Sequence, residues 1–162
     1  MKKKTALLLT TLLTCTFLLT GCGEDKELTQ FKKDMDNFCT KISEIDTSIN
    51  GIDADSDNAV EELLTHLDEL KVTFNEFAKF DFPEEFDYLE SIAQEASDYM
   101  DTAVSSYHDA YSNDSYNEYT AEYAQGNYSR AYKRIQIIIS FLHGETPEDV
   151  NITTVEDSTA EN

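Results

Sequence analysis

In LTQFKKDMDNFCTKISEIDTSINGI, residues 28–52, the apolar positions Leu28, Phe31, Met35, Phe38, Ile42, Ile45, Ile49 and Ile52 recur at alternating spacings of three and four. A helix of about 3.6 residues per turn places all of them on one face, whereas a strand requires alternation at every second residue. The segment therefore predicts an amphipathic helix with a sustained heptad seam. Such a seam needs a partner, and the residues that follow supply several.

Gly51 and the acidic run Asp53-Ala54-Asp55-Ser56-Asp57-Asn58 end the first helix and offer N-cap candidates for a second, with Glu61 and Glu62 in its first turn. That second seam runs through Val60, Leu63, Leu67, Leu70, Phe74 and Phe77. Asp81-Phe82-Pro83-Glu84 has the form of a capping box with proline in the first turn, so a third helix is expected to start there. Its seam is small in volume: Phe86, Leu89, Ala93, Ala96, Met100, Ala103, Tyr107 and Ala110. After the turn cluster at Ser112 to Ser115, a fourth helix is expected through Tyr116, Tyr119, Tyr123, Ala124, Tyr128, Ala131, Ile135, Ile138 and Leu142, ending near His143 with Gly144 as its cap. Gly126 falls inside it and weakens it by about 1 kcal/mol relative to alanine, which would suit a bulky neighbour. Short connections favour antiparallel neighbours, so the expected architecture is all-α, an antiparallel up-down four-helix bundle, with a long three-helix hairpin as the alternative. The bundle spans 28–143, and 144–162, with six acids and no base, reads as a disordered acidic tail.

Ahead of the first helix, Lys2, Lys3 and Lys4 precede an uncharged apolar run from Thr5 to Thr20 that is too short to span a bilayer, and Leu19-Thr20-Gly21-Cys22 follows. This order resembles the signal peptide and lipobox of bacterial prolipoproteins. The resemblance implies cleavage before Cys22, a diacylglyceryl group on the Cys22 thiol, and a location at the extracytoplasmic face of the cell membrane. Residues 1–21 are then the signal peptide and 22–27 a lipid-anchored tether. The acidic helical composition is similar to that of small helical surface lipoproteins of Gram-positive bacteria.

All 33 acidic residues lie after Gly21, together with nine of the twelve basic ones, so the mature segment of 141 residues carries a formal charge of −24. Nucleic acid is excluded as a partner class, because binding it requires cations against phosphate. Anionic lipid headgroups repel the domain too, which leaves the acyl chains as its attachment to the membrane. Of three cysteines, Cys15 leaves with the signal, Cys22 is the lipid acceptor, and Cys39 remains as a small apolar residue of the first helix.

The chemistry-bearing candidates are few. Asp53, Asp55 and Asp57 resemble the first half of an EF-hand calcium loop, and Glu61 or Glu62 could complete a cation site in a different loop geometry. Position twelve of the template is Leu64 in place of the bidentate glutamate, and a solvated connection that caps a helix explains the same residues. His66, His108 and His143 fall in three different helices without a Glu-x-x-His pattern. There is no Gly-x-Ser-x-Gly elbow and no glycine-rich phosphate loop, so an enzyme is not expected.

All nine tyrosines lie between Tyr88 and Tyr132. Some of them must be core, yet Tyr107, Tyr111, Tyr116, Tyr119, Tyr123, Tyr128 and Tyr132 crowd the junction of the third and fourth helices beyond what one seam can bury. Tyrosine packs at core boundaries and is also favoured at recognition surfaces, because its ring adds area while its hydroxyl stays wet, so Tyr107, Tyr111, Tyr116, Tyr119 and Tyr123 are the expected contact residues. Arg130, Lys133 and Arg134 supply the positive charge of the last helix. The expected role is a binding or scaffolding protein for an extracytoplasmic protein or envelope component. Self-association through the first heptad seam is a further possibility of the sequence.

Overall fold

The computed structural model of the chain describes residues 26–112 and 116–145. Cys22, the signal-peptide segment and the 146–162 part of the acidic tail lie outside these residues. Four α-helices pack against one another: α1 Lys26–Asn50, α2 Ala59–Phe77, α3 Glu90–Tyr111 and α4 Glu118–Leu142. The described residues contain no strand, and no helix among them is long and apolar enough to cross a membrane. Consecutive helices are spatial neighbours, α1 with α2, α2 with α3 and α3 with α4, the last pair being the most intimate.

The heptad seam of α1 enters the core as expected, with Phe31, Met35, Phe38, Ile42, Ile45 and Ile49 all buried. It meets an aromatic layer built from α2 and the segment behind it. The Phe38 ring stacks on Phe77 at 4.3 Å and meets Phe74 edge-on at 5.5 Å, and Phe31 packs on Phe82 at 4.8 Å. The seam is thus consumed inside the chain's own core and does not form an open coiled-coil face.

α3 and α4 come close because small residues face each other. Ala93, Ala96, Ala103 and Ala110 on α3 and Ala121, Ala124 and Ala131 on α4 are buried. Without bulk beyond Cβ the two backbones can approach at the short end of interhelical distances. Ile135, Ile137, Ile138 and Ile139 bury the far half of α4 on a wider arc than the predicted stripe.

Three boundaries differ from the expectation. The Asp81–Glu84 capping box does not start an α-helix; a 3-10 helix, Glu84–Leu89, comes first, Pro83 precedes it with no side-chain cap, and α3 begins at Glu90. Phe82 and Leu89 are both drawn into the core, and the tighter 3-10 turn, rising about 2 Å per residue, spans the distance between them. Asn58 precedes α2 but makes no side-chain cap bond. α4 starts at Glu118, after Asn117 rather than at Tyr116, because the Asn117 side chain accepts from the Thr120 N–H at 3.1 Å. At its other end Gly144 has φ of +73°, with Gly144 N–H donating to Phe141 C=O and Glu145 N–H to Ser140 C=O. This is a Schellman closure, and it needs the residue without a Cβ.

Gly126 has no bulky neighbour. A methyl group built at its Cα would meet nothing within 4 Å.

Candidate binding face

Tyr128 and Tyr132 are separated by one turn of α4, so their rings lie on the same face and stack at 4.7 Å with an interplanar angle of 24°. Both are buried, and both hydroxyls donate to a single oxygen, Asp46 Oδ1, at 2.5 and 2.8 Å. Asp46 is a buried carboxylate on α1. Its desolvation raises the carboxyl above the ordinary value of 3.8, and the two phenol donors partly offset that rise. Burial in turn pushes the Tyr128 and Tyr132 hydroxyls well above their usual range, so they remain donors.

The Asp46 cluster joins α4 to α1. The sequence carried a signal for it, since Asp46 is four residues after Ile42 and three before Ile49 and therefore shares their face.

With Tyr128 turned inward, the buried stripe of α4 runs through Ala121, Ala124, Tyr128, Ala131, Ile135 and Ile138. At about 100° per residue, Tyr119 and Tyr123 fall on the far side of that stripe. The predicted seam through Tyr116, Tyr119 and Tyr123 is therefore corrected. These rings are 45, 80 and 52% exposed. Tyr111 is half-buried and packs on Tyr116 with ring centroids 5.2 Å apart. Tyr107, grouped with them as a contact residue by sequence, is 1% exposed and belongs to the core of α3. Among the described residues its hydroxyl has no hydrogen-bond partner, and burial raises it, with the Tyr111 and Tyr116 hydroxyls adding to the rise. Burial also raises Tyr111 and Tyr116, and at Tyr116 the neighbouring carboxylates of Glu118 and Glu122 contribute.

The basic residues of α4 lie elsewhere. The guanidinium carbons of Arg130 and Arg134 sit 5.9 and 5.6 Å from the Tyr99 ring centroid, and Arg134 Nε pairs with Glu95 at 2.5 Å. Both arginines are thus committed to α3.

The acidic connection is exposed throughout Asp53, Asp55, Asp57, Glu61 and Glu62. The Asp53 carboxylate accepts from the Asp55 N–H at 3.0 Å, which closes a local turn. Leu64, at the template's closing position, packs against the core. Among the described residues no group of three or more His, Cys, Asp or Glu is placed to hold a metal ion. His66 pairs with Glu69 at 3.1 Å and His108 with Asp68 at 2.9 Å, each an isolated contact. Cys39 is buried.

A shallow cavity of about 480 Å³ opens where the start of α1 meets the 3-10 helix, lined by Glu27, Leu28, Pro83, Glu84 and Glu85. Comparison of the chain with protein families, curated proteins and solved structures finds no match.

Proposed function

We propose that this protein is a non-catalytic binding or scaffolding module, anchored through a diacylglyceryl group on Cys22 at the extracytoplasmic face of the cell membrane. Its contact surface is the aromatic face at the α3–α4 junction. The observation that carries the proposal is the outward placement of Tyr116, just ahead of α4, and of Tyr119 and Tyr123 in its first turns, while the same helix buries Tyr128 and Tyr132. Rings exposed together on one short segment mark a contact surface more often than rings scattered singly.

In this reading residues 1–21 are removed, the expected 22–27 tether shortens to the residues between Cys22 and the start of α1 at Lys26, and the four helices run antiparallel, up and down. The helix order is supported by side-chain pairs whose numbers rise along one helix as they fall along the next: Phe31 meets Phe82 while Phe38 meets Phe74, Asp68 meets His108 while Asn75 meets Asp101, and Glu95 meets Arg134 while Tyr99 meets Arg130. With an up-down order, the start of α1 and the α3–α4 junction lie at opposite ends. The tyrosines then project away from the bilayer, toward an envelope component or a second extracytoplasmic protein.

Surface crosslinking on intact cells tests the proposal. Tyr116→Ser combined with Tyr119→Ser is expected to abolish a crosslinked species while leaving helicity and melting temperature within experimental scatter, since both rings are exposed. A crosslinked species that persists in the double variant would remove this face as the contact surface.

A further inference from the structure

The α3–α4 junction has two of the three components that the molecule assembles around Tyr99. At Tyr99 an aromatic ring, two guanidinium groups and a carboxylate form one unit, with Arg130 and Arg134 over the ring and Glu95 closing the ion pair. At the junction the rings of Tyr111, Tyr116, Tyr119 and Tyr123 are present, and Glu118 and Glu122 are on the same helical segment. Among the described residues no cation lies over those rings, and neither carboxylate makes an ion pair. From Glu118 to Ser129 the chain has no lysine or arginine at all. Tyrosine faces attract ammonium and guanidinium groups through the ring quadrupole, and a nearby carboxylate adds to the attraction.

We propose that this face docks a lysine- or arginine-rich polypeptide segment of a second protein, whose cations stack on Tyr116, Tyr119 and Tyr123 and pair with Glu118 and Glu122. The proposal rests on the reading of the face as a binding surface and specifies its partner. Charge complementarity selects this occupant. A second copy of the chain brings more negative charge to an already acidic surface, and a neutral glycan uses the rings but gives the carboxylates no counterion.

The test is fluorescence anisotropy of labelled deca-arginine titrated with the full chain in neutral detergent at low salt. Three variants are compared: Tyr116→Ser/Tyr119→Ser, Glu118→Gln/Glu122→Gln, and Asp53→Asn/Asp55→Asn/Asp57→Asn as a control that removes more charge from a different exposed segment. The expected result is saturable binding that weakens by about tenfold in each of the first two variants and by less than about twofold in the control. Equal weakening in all three would overturn the proposal by showing that net charge alone attracts the peptide. Binding that survives loss of both tyrosines would overturn it as well. Chitohexaose is titrated in parallel; if it binds through the tyrosines and deca-arginine does not, the partner is a glycan and the basic-peptide assignment fails. Loss of the crosslinked species on cells together with unchanged deca-arginine binding would leave the face a contact surface and overturn only the identity of its partner.

Discussion

Asp46 illustrates how one side chain sets the use of others. Its Oδ1 accepts two buried tyrosine hydroxyls, so replacing it with alanine leaves both donors without an acceptor, at about 1–3 kcal/mol for each. Asp46→Ala is expected to lower the melting temperature sharply, while Asp46→Asn keeps an acceptor oxygen and removes a desolvated charge. The sign of the pH dependence follows from the raised carboxyl. Between its ordinary value of 3.8 and its higher value in the fold, the folded state binds more protons than the unfolded one, so stability falls as pH rises through that window. The groups facing Asp46 from α4 are the Tyr128 and Tyr132 hydroxyls, which stay protonated throughout. Thermal melts from about pH 4 to about pH 7 are expected to show the Asp46→Asn variant gaining on the parent as pH rises. A constant gap would mean that the carboxyl titrates at its ordinary value.

Within a helix, glycine and capping residues act through the backbone. Gly126 sits in the interior of α4, and the space beside it is open. Gly126→Ala is expected to stabilise the protein by about 0.5–1 kcal/mol, read as a rise in the midpoint of urea unfolding with an unchanged slope. A loss of stability would reveal crowding at that position. The helix ends were partly legible in the sequence. Gly144 was recognisable as a C-cap because a Schellman closure requires a residue tolerant of positive φ, and the four-residue turn signal before α4 placed its start within two residues. The Asp81–Glu84 box misled because a capping motif specifies that a helix begins but not its type. The pull of Phe82 and Leu89 into a shared core selected the tighter 3-10 turn.

Across the molecule, packing is uneven. Large aromatics fill the space between α1 and α2, while alanines allow α3 and α4 to close on each other. Ala103 is fully buried on α3. Ala103→Leu is expected to destabilise the fold by about 1–3 kcal/mol through overpacking, measured by chemical denaturation, whereas a small effect would show slack between the helices. The number of helices, their approximate spans and the α1 seam could be read from the chain alone, because helical periodicity is local and a stripe of apolar residues must be buried somewhere. The acceptor of the buried α4 tyrosines could not. The 3/4 spacing of Ala124, Tyr128, Ala131, Ile135 and Ile138 puts Tyr128 on one stripe and leaves Tyr119 and Tyr123 off it, but no local pattern says what a buried phenol hydroxyl will bond to. That acceptor is Asp46, 82 residues before Tyr128. A buried carboxylate requires donors and a buried phenol an acceptor, and only the packing of α4 against α1 brings the three together.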